Sequence, residues 1–139
     1  MSAGPDHGVT VHWAADQIGL PWVAGVSDCR AFATMIWRER FGFDAPLFAG
    51  DPGDPRAVRR AFAHDPGASG WSIVAHDPRE GDGVLMAKGA RPCHVGVWID
   101  PGPSGVLHSV EGAGVIFTPP AQVAALGYRI VGIYRRCAP

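Results

Sequence analysis

The sequence predicts an α+β fold in which N-terminal helices pack on an antiparallel sheet of about five strands. Three observations carry this. Through residue 64 the apolar positions recur at helical spacing. From residue 84 onward, short β-branched runs alternate with turns rich in glycine and proline. The length, 139 residues with 47% hydrophobic and 18% charged, suits one domain able to bury its own core. No repeat, low-complexity tract or composition break divides it, so residues 1–139 read as a single domain.

Taken in order, His12 to Ile18 is expected to form a short helix with Trp13, Ala14, Gln17 and Ile18 on one side, ended by Gly19 and Pro21. The next helix lies in VSDCRAFATMIWRERFG, Val26 to Gly42. Ser27 and Asp28 are good N-caps, Phe32, Ala33, Ile36 and Trp37 form its inward face, and Gly42 stands where it would end. Residues 43–53 read as loop, and Asp54-Pro55 opens a helix running to His64. After a turn-rich passage over 77–83, strands are predicted at Val84–Ala87, His94–Asp100, Gly105–Val110, Val115–Thr118 and Tyr128–Arg135. Pro120 to Leu126 gives one or two helical turns, closed by Gly127.

Charge and cysteine usage exclude several function classes. A net charge of −1 removes the electrostatic case for nucleic acid or an anionic membrane as partner. Three cysteines without CxxC spacing make neither a disulfide framework nor a zinc knuckle, and no metal or other cofactor is expected. MSAGPDHGVT has no basic region followed by an apolar run, and no stretch is apolar enough to span a bilayer. The expectation is a chain made in the cytoplasm without a signal peptide and without membrane insertion.

Cys29 falls in the first turn of the second helix, on the face of Phe32 and Ala33. Unpaired N–H groups and the positive end of the helix dipole favour thiolate there. A small buried cysteine that merely packs is the plainer reading. Of the six histidines, His7, His12, His64 and His76 lie near turns or a terminus and read as solvated. His94 and His108 sit on strands among apolar neighbours. Alternation groups His94 with Gly96 and Trp98, and His108 with Val106 and Val110. Pairing Ile99 with Gly105 around the loop 100–104 would set Gly96 opposite His108 and make the two histidines diagonal neighbours. Their backbones would then be roughly 7–8 Å apart. Gly96 would leave room for the second ring, whereas a slip of one residue would send the rings to opposite faces. A helix-start cysteine, a histidine to take its proton and a polar group to orient that histidine are the parts of a thiol nucleophile site. Two satisfied, half-buried histidines fit the same spacing.

The order GLPW, DC at a helix start, EGDGVLM, PCHVGVWID, GVLHSVEGAGVIF and YRIVGIYRR resembles the NlpC and p-sixty superfamily of papain-like cysteine peptidases. The resemblance covers about residues 12–136, and its closest flavour is the compact form found in phage tails and gene-transfer particles. It implies a papain-like fold, with Cys29 as nucleophile, His94 as general base and His108 as the residue that orients His94. It implies as substrate the peptide stems of bacterial peptidoglycan, cut beside a D-γ-glutamyl residue, and as partners the other tail or particle proteins. Two positions depart from the family pattern. Asp28-Cys29-Arg30-Ala31 stands where DCSG is common, so Arg30 could narrow the cleft or read a substrate carboxylate. Trp22 stands where many members carry a tyrosine that assists the oxyanion; its indole N–H is also a donor. The cysteine's own N–H is the other implied oxyanion donor. Asp28 reads as the helix cap, Cys93 as packing, and Cys137 as a bystander. Trp13, Trp37, Trp71 and Trp98 read as core or cleft wall.

The leading expectation is therefore a peptidase or amidase working through Cys29, His94 and His108. A structural tail-tip or hub protein that keeps the fold without the chemistry is the alternative. Zinc held by the same three side chains would need a fourth ligand. Acyl transfer would call for a membrane-binding stretch that the sequence lacks.

Overall fold

The computed structural model describes residues 11–43 and 70–137. Its elements are a 3-10 turn (Trp13–Asp16), α1 (Cys29–Phe41), β1 (Trp71–Ile73), β2 (Gly83–Lys88), β3 (Arg91–Ile99), β4 (Gly105–Val110), β5 (Gly114–Thr118), a second 3-10 turn (Pro120–Leu126) and β6 (Arg129–Arg136). The strands form one sheet in the order β1-β6-β2-β3-β4-β5, with every neighbouring pair antiparallel. The predicted α+β class with an antiparallel sheet is thus observed. The helix expected from Asp54 to His64 and the loop preceding it, from residue 44, lie outside the described residues, as do His7 and His64.

Helix α1 begins and ends where its caps dictate. Asp28 Oδ1 accepts the Ala31 N–H at 2.9 Å while Oδ2 accepts the Gly25 N–H at 2.6 Å, fixing both the first turn and the loop before it. Gly42 closes the helix at φ 75°, a left-handed conformation that costs glycine little. Between the caps, Phe32, Ala33, Ile36 and Trp37 are buried against the sheet. Each large side chain on that face contributes about 1.5–3 kcal/mol of burial free energy. The Trp37 indole N–H donates to the Gly81 carbonyl at 2.9 Å, anchoring the far half of the helix to the turn before β2.

Three expectations need correction. The first helix is a single 3-10 turn, and Ile18 is 51% exposed rather than inward-facing. Its chain is diverted because the Gly19 N–H donates to Val115 O and the Val115 N–H donates to Leu20 O, both at 2.9 Å, drawing residues 19–20 along the edge of β5. His12 is not simply solvated. Its Nδ1 accepts the Ala14 N–H at 3.0 Å, and its Nε2 donates to Glu80 Oε1 at 2.5 Å. Finally, the sheet has six strands because Trp71–Ile73 pairs with β6. That strand is three residues long with two of them exposed, too short for alternation to reveal.

The sheet divides the interior into two apolar clusters. Leu85, Val95, Val97, Ile99 and Leu107 face α1. Val84, Met86, Trp98 and Val106 face the opposite side, where Val123 of the second 3-10 turn and Tyr128 cover them. Trp37 and Trp71 are buried on the α1 side and Trp98 on the other, while Trp13 packs partly buried at the margin, so the tryptophans form core as expected.

Candidate functional site

The hairpin β3–β4 takes the register that the sequence suggests. Ile99 pairs with Gly105, Trp98 with Val106 and Val97 with Leu107. This puts His94 and His108 on one face, and their rings meet: His94 Nε2 and His108 Nδ1 share a hydrogen bond of 2.7 Å. The ring planes are inclined at 67° with centroids 5.0 Å apart. Gly96 is what makes the approach possible. A Cβ there would lie 2.5 Å from Val106 Cγ1, 3.0 Å from His108 Cβ and 3.1 Å from Leu107 O.

Alternation places both rings on the face away from α1. His94 is paired with Met86, a member of the second cluster, and His108 lies on the same side as Val106. Cys29 belongs to the first cluster, across the sheet. What connects the two sides is the gap where β3 and β4 part. The Trp98 N–H donates to Asp82 O at 2.7 Å, and the Gly81 N–H donates to Trp98 O at 2.8 Å, so even-numbered β3 amides point toward β2. Odd-numbered ones therefore point toward β4. Continuing the register would bring Val95 opposite Ser109, but the ladder ends at the Val97–Leu107 pair. The Val95 N–H instead is one of the backbone donors that favour a thiolate at Cys29. On the other strand, Ser109 Oγ donates to the Ser27 carbonyl at 2.6 Å. The start of α1 is thus pinned to β4 where the strands separate.

Electrostatically, the three groups rest in neutral form. Burial pushes the Cys29 thiol up, and the Asp28 carboxylate and Cys93 push the same way, outweighing the N–H donors of Val95 and Arg30. The helix-start donors act on the sulfur as the sequence suggests, but desolvation of a 7% exposed thiol exceeds them. Burial, then the neighbouring His108 and Lys88, lowers His94 to about 3. Burial likewise lowers His108 to about 4.

Several groups that the sequence reading passed over complete the site. Tyr128 stacks on His94 with centroids 4.5 Å apart and planes at 17°. Its hydroxyl is pushed up by burial and then by the charges of Cys93, Cys29 and Glu111. Lys88 Nζ sits 4.9 Å from the Tyr128 ring centroid. Thr118 Oγ1 is 2.9 Å from His108 Nε2. Thr118 was legible by extending the register arithmetic one hairpin further, since it pairs with Val106. Tyr128 was not, because it arrives from beyond a 3-10 turn ended by Gly127 at φ 88°.

Of the remaining expected residues, Asp28 caps α1, and Trp22 lies half-buried in the turn before it. Arg30 is half-buried and lines a groove of about 450 Å³ with Asp28, Thr34 and Arg38. That groove follows the outer side of α1, and neither the thiol nor the histidines line it. Cys93 is half-buried beside the irregularity between β2 and β3, and Cys137 is half-buried with its N–H on Gly70 O. Among the described residues no cluster of three His, Cys, Asp or Glu side chains is arranged to hold a metal, and no helix is long and apolar enough to cross a membrane.

No protein-family model matches the chain, and no curated protein matches it.

Proposed function

We propose that the protein is a cysteine peptidase or amidase of the NlpC type, hydrolysing peptide stems of bacterial peptidoglycan as a component of a phage-tail-like particle. One observation carries the chemical part: His94 and His108 share a buried hydrogen bond of 2.7 Å, and a buried cysteine starts the helix whose first turn approaches Val95, the residue after His94. With Nε2 committed to His108, Nδ1 is the His94 nitrogen left to accept a proton. The fold and the substrate class follow the sequence resemblance, to which the sheet with a cysteine-bearing helix is well suited.

In this reading the reaction starts from thiol and neutral imidazole. The Sγ proton passes to His94 Nδ1 as Sγ attacks the amide carbonyl carbon. The Ala31 amide is committed to Asp28, and the Cys29 N–H serves as the first-turn donor to the oxyanion. Collapse breaks the C–N bond, with the proton on His94 going to the departing amine and a thioester remaining on Cys29. Water, deprotonated by the same nitrogen, hydrolyses the thioester and restores the thiol.

The test is digestion of purified peptidoglycan with mass analysis of the released fragments. Parent protein should release new amino or carboxyl termini, and Cys29→Ala should lower the rate by at least about 10³-fold. Equal rates would sink the mechanism. The raised thiol favours one other reading, a structural tail-tip protein that keeps the site without using it. That reading requires no fragment release by the parent protein.

A further inference from the structure

His108 has both nitrogens engaged, Nδ1 with His94 and Nε2 with Thr118 Oγ1, and it is fully buried. Thr118 is 3% exposed, at the end of β5. A neutral imidazole carries one N–H, so the chain Thr118–His108–His94 has two proton orders and no others that satisfy every contact. In the first, the Thr118 hydroxyl donates to His108 Nε2, His108 Nδ1–H donates to His94 Nε2, and His94 bears its hydrogen on Nδ1. In the second, His94 Nε2–H donates to His108 Nδ1, and His108 Nε2–H donates to Thr118 Oγ1, which leaves a lone pair on His94 Nδ1. Only the second lets His94 Nδ1 take a proton from a thiol.

We infer that Thr118 is a positioning residue: by accepting the His108 Nε2–H it sets the tautomer of both histidines and keeps His94 Nδ1 unprotonated. A hydroxyl suits the task because its oxygen can accept the ring N–H without carrying a charge. A carboxylate at this place would put a charge into the same buried pocket. The inference deepens the proposed thiol mechanism and rests on it for the consequence in turnover, but the tautomer itself is a property of the resting protein.

The experiment has two arms. In the first, histidine side chains are labelled with nitrogen-15, and long-range proton–nitrogen correlation spectra at pH 7 identify which ring nitrogen of His94 and His108 is protonated, with His94→Gln and His108→Gln used for assignment. The parent is expected to show Nε2–H on both rings. In Thr118→Val, which preserves shape and removes the acceptor, His108 is expected to move to Nδ1–H and His94 with it. Thr118→Ser should restore the parent pattern. Parent spectra showing Nδ1–H on His94, or Thr118→Val spectra identical to the parent's, would overturn the inference. The parent spectrum decides on its own if Thr118→Val does not fold. The second arm measures peptidoglycan turnover, where Thr118→Val should lose about 10–100-fold in kcat with KM little changed, and Thr118→Ser should recover most of it. Full kcat in Thr118→Val would overturn the inference as well. A parent inactive on peptidoglycan would remove the proposed function while leaving the tautomer result to stand or fall by the spectra.

Discussion

Strand β3 carries a histidine cluster near each end, and the two are built on opposite principles. Near its C-terminal end, His12 donates to Glu80, which also accepts the Trp13 indole N–H at 3.2 Å and the Asp100 backbone N–H at 3.0 Å. The side chains of His12 and Glu80 are 19% and 34% exposed. Burial alone would raise Glu80, but those donors hold it below its ordinary value. Toward the other end, His94 and His108 have each other, a threonine hydroxyl and a tyrosine face, all of them uncharged. An imidazole beside a partly exposed carboxylate ties loops together. One buried among neutral partners is kept uncharged, and the same burial makes it a weaker base. Residue type does not tell a staple from a base; surroundings do.

The sharpest way to break this comparison is to remove one imidazole from each cluster and compare activity. His94→Ala should lower peptidoglycan turnover by about 10²–10⁴-fold, the range for a lost general base. His12→Ala should leave turnover within about twofold, since Glu80 and its partners lie toward the other end of the strand. Comparable losses in both would mean that the division of labour is wrong.

Acid should separate the clusters next. His94 and His108 are lowered on folding, so below pH 6.5 the unfolded chain binds protons that the folded chain refuses. Stability from this source is complete above 6.5 and is lost as pH falls toward about 4 for His108 and about 3 for His94. Each ring can weaken the folding constant by up to about tenfold per pH unit in that window. Glu80 acts lower, contributing above its unfolded value of 4.5 and losing that contribution beneath it. Urea midpoints from pH 7 to pH 4 should therefore drop in the parent and drop less in a His94→Gln, His108→Gln double variant. A parallel decline in the two proteins would assign the acid sensitivity elsewhere.

Gly96→Ala probes the contact between the imidazoles. The added methyl meets backbone and a β-branched side chain at 2.5–3.1 Å, which cannot rotate aside, so a loss of about 1–3 kcal/mol is expected. The displaced His108 should also lower turnover. An unchanged urea midpoint would show that the strands separate more easily than their close approach suggests.

How much of this was legible in the sequence depended on whether local chemistry or distant packing decides the outcome. Asp28 and Gly42 bound α1 because capping is local, and the Ile99–Gly105 register followed from the loop length and the parity of two histidines. Gly96 was readable for the same reason. The sheet's division into two faces was legible residue by residue, but the opening between β3 and β4 was not, since it lies where the start of α1 meets the sheet through the Ser109 hydroxyl on the Ser27 carbonyl, a contact between residues distant in sequence. Likewise, the preference for thiolate at a helix start is real, yet the burial that overrides it belongs to the packed core. The role of His12 was hidden because Glu80 is distant in sequence, in a turn-rich passage, while His12 stands at the start of an expected helix.

The smallest effect separates the two bonds His12 makes. Its Nδ1 accepts the Ala14 N–H and so caps the 3-10 turn, while its Nε2 donates to Glu80. His12→Ala loses both, and a cap of this kind is worth about 0.5–2 kcal/mol. His12→Asn supplies another good capping side chain but is too short to span to Glu80 as well. If the cap dominates, His12→Asn should recover most of the urea midpoint lost in His12→Ala. If the Glu80 bond dominates, the two variants should be equally weak, and raising the salt concentration should narrow their gap from the parent because a partly exposed ion pair is screened. The half-exposed position of Glu80 favours the cap, so the larger recovery is expected with asparagine and little salt dependence with either variant.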